Sequence, residues 1–374
     1  MLEYALKKRM KLLICTQKVD KEDDVLGFFH GWLVEFAKKA EKITVVCLEK
    51  GIVELPKNVE VFSLGKEKFE IGNLKFGIRQ RLYCKINYLV NFYRYILQKR
   101  NEYDVVLVHM NKEYVLLGWK VWKLFGKKIV FWYNHKKGGP MASYAGFLSN
   151  KILYTSPDSF FAGNRKAIMT PVGIDTDIFK KNNNVLPKAG SFLCLGRISP
   201  VKNLETLIEA VKILSNKKND FSLSFCGEAV AKDESYFEKM KKDSKSLQEK
   251  GFIKFFPAVA NYKAPEIYGA NHFLLNATGS GSMDKTIFEA MAMEMPVLAS
   301  NIGLQKIWPE DLYGKFLFKE NDADDLSQKM EKLLAMPAME REEIGRKMRT
   351  IVLEKHSLSV LTEKLFFIFN ELKR

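Results

Sequence analysis

Two blocks in the C-terminal half have residue types and spacing suited to gripping phosphate and sugar hydroxyls. The first is Gly196-Arg197-Ile198-Ser199-Pro200-Val201-Lys202-Asn203, which follows a short apolar run and opens a helical pattern. Glycine permits a tight turn, and a helix N-terminus offers free N–H groups and the positive end of its dipole. Arg197 supplies a planar fork and Lys202 a point charge, a combination suited to a diphosphate. Taken alone, the block also fits an ordinary strand-to-helix loop with solvated basic residues. The second block runs Thr278-Gly279-Ser280-Gly281-Ser282-Met283-Asp284-Lys285-Thr286-Ile287-Phe288-Glu289-Ala290-Met291-Ala292. Its Gly/Ser-rich loop leads into a helix with Asp284 and Thr286 in the first turn, again an anion-cradling pattern. Glu289 falls among Ile287, Phe288 and Met291, so its carboxylate needs hydroxyl partners, and a ribose diol is one candidate. An exposed helix glutamate beside a generic glycine loop is the commoner origin of such a pattern.

Together the blocks become specific. GRISPVKNLETLIEAV, the CGE turn and DKTIFEAMAMEMPVLASNIG resemble the donor domain of family-4 retaining glycosyltransferases (glycosyltransferase group 1), and TPVGIDTDIF resembles the hinge signature before that domain. The resemblance covers nearly all of the C-terminal half and is weaker in the N-terminal half. It implies the GT-B fold, two facing Rossmann-like doubly wound α/β domains with an interdomain cleft. It also implies transfer of a sugar from a UDP- or GDP-sugar to an acceptor hydroxyl with retention of configuration. Arg197 and Lys202 match the family's diphosphate ligands, and Glu289 matches the second glutamate of its paired motif, which binds the ribose. The first glutamate, which contacts donor-sugar hydroxyls, falls at Gly281 and is missing. Asp284, Lys285 or the backbone amides of Gly281, Ser282 and Met283 are the candidates to replace it, and Thr286 completes the expected donor set. The vacancy also raises the alternative of a catalytically silent sugar-nucleotide- or membrane-binding GT-B protein.

Two of the five histidines close apolar runs in the N-terminal half, His109 after Asp104–Val108 and His135 after Ile129–Asn134. Strand C-termini are where doubly wound folds place chemistry, though each histidine could simply cap its strand. In the family, the position of His135 lies against the donor sugar and its phosphates and that of His109 near the acceptor. Of the Gly-Gly pair that often follows the family's first strand, only Gly27 has a match here, on the acceptor side. Asp23 and Asp24 read as loop and cap residues. Asp175-Thr176-Asp177 imitates a metal-binding DxD but sits in the hinge signature. Asp322-Ala323-Asp324-Asp325 reads as the cap of a helix over Ala323–Leu334. No metal and no bound cofactor are expected beyond the nucleotide sugar itself.

The elements that must position these groups alternate along the chain. Short apolar runs (Lys11–Thr16, Ile43–Leu48, Val59–Phe62, Asp104–His109, Lys128–Tyr133) are separated by helical patterns, and the alternation restarts at Phe192–Leu195. Such runs argue for parallel sheets covered on both faces. The expected boundaries are an acceptor domain over 1–172, a donor domain over 173–355, and a helix over 356–374 packing back towards the first domain. The join at Thr170–Lys188 has linker composition, and closure about Pro171–Lys188 would exclude water from the reaction.

The 374 residues carry a net charge of +16, and it is uneven. Residues 1–172 hold 30 Lys and Arg against 16 Asp and Glu, and residues 65–100 hold nine against two. Leu82, Ile86, Leu89, Tyr93 and Ile96 recur at helical spacing there, which predicts a face packed on the core. The charges and aromatics of Lys75–Arg100 suit docking on an anionic bilayer. They point to a lipid-linked or otherwise anionic envelope acceptor. No apolar window is long enough to span a bilayer, and Lys7, Lys8, Arg9 and Lys11 precede only a short apolar run, unlike a secretory signal. The five cysteines show no CxxC spacing. A cytoplasmic protein, peripheral on the inner membrane face, is the expectation. A dehydrogenase would need GxGxxG after the first strand, and Cys15-Thr16-Gln17-Lys18 offers none. Nucleic-acid binding has charge alone behind it, so no nucleic-acid partner is expected.

Overall fold

The computed structural model describes residues 10–68, 78–182, 184–281 and 283–373. Lys7, Lys8, Arg9, Lys75, Phe76 and Ser282, which carried sequence expectations, lie outside them. The chain divides into two compact units, residues 1–170 with 361–374, and residues 171–360.

In the first unit the order is β1 (Met10–Val19), α1 (Gly27–Lys39), β2 (Ala40–Lys50), β3 (Val59–Ser63), α2 (Ile78–Gln98), β4 (Val105–His109), α3 (Lys112–Leu124), β5 (Lys128–Trp132), α4 (Pro140–Leu148), β6 (Lys151–Tyr154) and β7 (Ala167–Met169). The strands form one sheet in the order β3-β2-β1-β4-β5-β6-β7, parallel throughout. Leu12, Leu13, Ile14 and Cys15 on β1 and Val105–Val108 on β4 are wholly buried. Continuous apolar strands of this kind need helices on both faces of the sheet.

The second unit holds β8 (Ser191–Leu195), α5 (Leu204–Ser215), β9 (Ser222–Cys226), α6 (Glu234–Asp243), α7 (Lys245–Glu249), β10 (Ile253–Phe256), α8 (Ala264–Gly269), β11 (Phe273–Asn276), α9 (Lys285–Ala292), β12 (Val297–Ala299), α10 (Glu310–Phe316), α11 (Ala323–Leu334) and α12 (Ala338–Lys355). Its five parallel strands run β10-β9-β8-β11-β12. Phe192 and Phe225 lie at the centre of its core. Asp322 caps α11, accepting from the Asp325 N–H at 2.9 Å. The Asp175 carboxylate accepts from the backbone N–H groups of Asp177 and Ile178, so it closes a local turn.

Three expectations are corrected. The join at Thr170–Lys188 is built into the second unit: Val172, Ile174 and Phe179 are in its core, and Arg349 donates to the Phe179 carbonyl. Residues 356–360, assigned from sequence to the returning helix, also group with the second unit, because the N–H groups of Gly173 and Ile174 both donate to the His356 carbonyl. Only from residue 361 does the last helix, α13 (Leu358–Lys373), group with the first unit, where Phe366 meets Phe36 and Lys373 pairs with Asp104. The third correction concerns α2. Cys84, Phe92 and Ile96 are its buried side chains, whereas Leu82, Ile86 and Leu89 are exposed. Of the expected stripe, Ile96 is buried and Tyr93 packs partly buried on the core, so the expectation holds at the C-terminal end of the helix and fails towards its N-terminal end.

Among the described residues, no helix is long and apolar enough to cross a membrane. All five cysteines are buried and free.

Phe192 is fully buried and stacks on Phe273 with ring centroids 5.2 Å apart. Phe192→Ala should therefore destabilise the second unit by about 3–5 kcal/mol, the usual cost of a large cavity. A shift of the chemical-denaturation midpoint with unchanged slope will read it.

Candidate functional site

The chain leaves β8 into a turn that only glycines allow. Gly196 has φ +119° and Gly227, just past β9, has φ +156°. The Gly196 N–H donates to the Cys226 carbonyl at 3.0 Å. A Cβ on Gly227 would stand 2.1 Å from the Gly196 carbonyl oxygen, so the two loops approach too closely for any other residue. Beyond Gly196, a single 3-10 turn over Pro200–Lys202 turns the Lys202 side chain back, and Asn203 (φ +48°) leads into α5. The Arg197 guanidinium lies exposed at the same strand end and makes no ion pair with a described residue.

Lys202 reaches the second block. Its ammonium pairs with Asp284, the N-cap of α9. The Asp284 carboxylate is crowded with donors. Oδ2 takes Lys202, the Asn276 amide at 2.8 Å and the Thr278 hydroxyl at 3.2 Å, while Oδ1 takes the Thr286 N–H at 3.3 Å. Burial alone would raise its pKa, but the Lys202 charge and the bonds from Lys202, Asn276 and Thr286 outweigh that and hold it at about 2. Asp284 is therefore ionised; Oδ2 is filled by three donors, and Oδ1, with the Thr286 N–H alone, keeps a lone pair.

One turn into α9, Glu289 is buried, and each oxygen has one neutral donor. Asn261 donates to Oε1 at 3.0 Å and the Tyr268 hydroxyl to Oε2 at 2.9 Å. Burial pushes its pKa up, against these bonds and the Lys285 charge. Lys285, four residues earlier on the helix, donates to the Val172 carbonyl at 2.8 Å. Burial pulls its pKa down, and Glu289 opposes the shift. The Gly/Ser loop is anchored from outside by Glu320, whose Oε1 accepts from both the N–H and the hydroxyl of Ser280 at 2.6 Å. Gly281 is buried with φ +121° and Met283 is buried beside it.

Gly196, Lys202, Asp284, Thr286 and Glu289 are thus gathered at the C-terminal ends of β8 and β11. Asn261, Tyr268, Asn276, Thr278 and Glu320 join them without having been singled out in the sequence. Asn276 carried a readable signal, a polar residue ending the apolar run Phe273–Leu275.

The remaining candidates belong to the first unit. His109 ends β4 and is buried in an aromatic cage, stacked on Phe29 at 4.6 Å with Trp32 and Trp132 beside it, its Nδ1 3.3 Å from the Thr16 hydroxyl. Gly27 opens α1 next to that cage, its N–H donating to the Asp23 carbonyl. Asp23 also accepts from the Val25 and Leu26 N–H groups and pairs with Lys18, a turn-closing role. His135 is exposed in the loop after β5, its ring 5.0 Å from that of Tyr133. Partial desolvation, reinforced by the Lys112 charge, lowers its pKa, which favours neutral imidazole at pH 7.

Asp284 gives a test that needs no substrate. Its folded-state pKa of about 2 lies below the ordinary 3.8. The stability it contributes is present above pH 4 and is lost as pH falls towards 2. Relative to Asp284→Asn, the wild type should lose about 2 kcal/mol more stability across that window, at 1.36 kcal/mol per pKa unit. Denaturation midpoints at pH 5 and at pH 2.5 will show it.

Residues 175–350 match the family model for glycosyl transferases group 1. Over 180 residues the chain is 26% identical to the poly(ribitol-phosphate) alpha-N-acetylglucosaminyltransferase of Staphylococcus aureus, covering 47% of this chain and 34% of that protein. Over 165 residues it is 25% identical to the alpha-monoglucosyldiacylglycerol synthase of Streptococcus pneumoniae, covering 44% of this chain and 36% of that one. The chain thus spans about a third of the length of the curated relatives it matches. The crystal structure of Anabaena HepE in complex with UDP and glucose superposes with a TM-score of 0.75 at 16% identity, over 96% of this chain and 99% of that one. With its two parallel-sheet units, the protein has the GT-B fold, and its second unit belongs to the group 1 glycosyltransferases.

Proposed function

We propose that the protein transfers a hexose-type sugar from a nucleoside diphosphate, UDP or GDP, to an acceptor hydroxyl, with retention and without a metal. The observation that carries this reading is the meeting of the two blocks: the cation of the first (Lys202) sits on the helix cap of the second (Asp284), beside the unpaired Arg197. Arg197, Lys202 and the N-terminus of α9 would share the charge that builds on the departing diphosphate. Glu289 would accept from the ribose hydroxyls. The bond from the anomeric carbon to the diphosphate oxygen breaks, and the acceptor oxygen attacks the same face of that carbon. Its proton passes to the leaving phosphate oxygen, so no enzymic base is consumed. Neutral His135 would lie against the donor, and Gly27 and His109 would line the acceptor side.

The UDP held by Anabaena HepE supports a UDP-sugar donor. The names of the two curated relatives support an acceptor that is an anionic envelope polymer or a glycolipid, and hence a peripheral position on the inner face of the membrane. A second reading, a catalytically silent nucleotide-sugar binder, draws on Gly281: without the first glutamate, Asp284 Oδ1 and backbone amides would be the groups left for the sugar.

A thermal-shift screen against UDP-, GDP- and ADP-sugars should give one clear stabilising series, and incubation with the best donor should release its nucleoside diphosphate. Arg197→Ala should lower kcat/KM by about a hundredfold, the scale of losing one charge-stabilising donor. Glu289→Ala should act mainly through donor KM. Turnover should survive EDTA, and the anomeric configuration of the product, read by NMR, should match that of the donor. Donor binding without turnover would establish the silent reading instead.

A further inference from the structure

Three of the α2 residues expected in the core, Leu82, Ile86 and Leu89, instead form part of an exposed apolar surface among the described residues. Leu82, Ile86, Leu89, Val90 and Leu97 follow one another by one, three, four or seven residues, so they share one face of the helix. They are large and exposed, Leu82 by 58% and Val90 by 57%. At 100° per residue Cys84 and Phe92 lie away from this stripe and are buried, while Ile96, about 20° round from Leu89, is buried near the helix's C-terminal end. At 100° per residue, Lys85 and Arg94 fall on its two edges and Arg79 within it, all three exposed. α2 contains four basic residues and no acidic one. The surface continues onto α3: the Tyr93 hydroxyl donates to the Leu117 carbonyl at 2.9 Å, and Leu117, Leu124, Lys120 and Lys123 are exposed there.

We propose that this face of α2, continued by α3, is a docking surface for an anionic lipid bilayer, with the apolar stripe entering the headgroup boundary and the flanking cations meeting lipid phosphate. Several large apolar side chains exposed on one helix face mark an interaction surface. The rim of basic side chains, in a helix without a carboxylate, selects an anionic partner. An apolar stripe edged by Lys and Arg is the arrangement that lies in a membrane interface. This adds a partner to the transferase reading while standing on the surface alone, because binding to vesicles requires no nucleotide sugar.

Sedimentation with phosphatidylglycerol/phosphatidylcholine vesicles, against phosphatidylcholine alone, tests it. The protein should bind the anionic vesicles at low salt and release as salt rises. Arg94→Gln should weaken binding about fivefold, the contribution of one basic residue near such a surface. Ile86→Ser with Val90→Ser should weaken it more than tenfold while leaving the circular dichroism unchanged, since both positions are exposed. Ile86→Trp should show a blue-shifted fluorescence on addition of anionic vesicles only. No binding at low salt, equal binding to neutral vesicles, or binding indifferent to the double serine variant would overturn the proposal. A dimer dispersed by that same variant would do so too, assigning the stripe to a second copy of the chain. Each of these outcomes leaves the nucleotide-sugar assays untouched, and a failure of those assays leaves the vesicle result standing.

Discussion

The ion pair between Lys202 and Asp284 organises the second unit's polar end. It joins two segments more than eighty residues apart, and it does so at a helix N-cap, where a carboxylate is already favoured by free N–H groups and the dipole. Asn276 and Thr278 hold the carboxylate from the strand side, so the pair is anchored to β11 as well as to α9. The loop glycines follow from it. Lys202 can reach Asp284 only if the chain reverses sharply at Gly196, and Gly196 can lie under the β9 loop only if Gly227 lacks a side chain. A diphosphate bound here would meet a lysine whose charge is already partly balanced and an arginine that makes no ion pair with a described residue. Under the proposed function, Arg197 would then supply the uncompensated attraction and Lys202 a positioned donor.

Glu289 obeys a different constraint. A buried carboxylate is tolerated when its oxygens have donors, and here one amide and one phenol supply a single bond each. Each oxygen keeps accepting capacity, as Asp284 Oδ1 does, whereas Asp284 Oδ2 is filled by three donors. The two carboxylates still differ in work: Asp284 fixes the cation and the helix cap, and Glu289 is held by neutral donors alone.

Much of this was readable before the fold was known, because the signals were local. α11 begins and ends where the Ala323–Leu334 pattern and the Asp322 cap place it. The charged stretch after β9 forms two helices, α6 and α7, that break at Ser244, whose hydroxyl donates to the Met240 carbonyl, a competition between side chain and helix that spacing does not reveal. The short elements α4, β6 and β7 carry too few residues for a periodic pattern. In α2 the expected stripe is buried at Ile96 and partly at Tyr93 but exposed at Leu82, Ile86 and Leu89, because spacing does not say how far along a helix the core extends. Asn261 and Tyr268 were invisible for another reason: their partner, Glu289, lies more than twenty residues away, and only the packing of α8 on α9 brings them into reach.

Gly281 shows why the vacancy in the paired-glutamate pattern is more than an exchanged side chain. Its φ of +121° lies where residues with a Cβ are strained, and its loop neighbours are held by Glu320 through Ser280. A glutamate at this position would have to change the backbone before it could present a carboxylate. The loop's external anchor is a different acidic residue, Glu320, bound through the N–H and hydroxyl of Ser280. Under the proposed function, recognition of the sugar end through backbone donors aimed at hydroxyl oxygens would differ from a glutamate, which accepts from hydroxyl hydrogens. That exchange of donor for acceptor would be a chemical difference from the paired-glutamate pattern, and it would follow from one backbone angle.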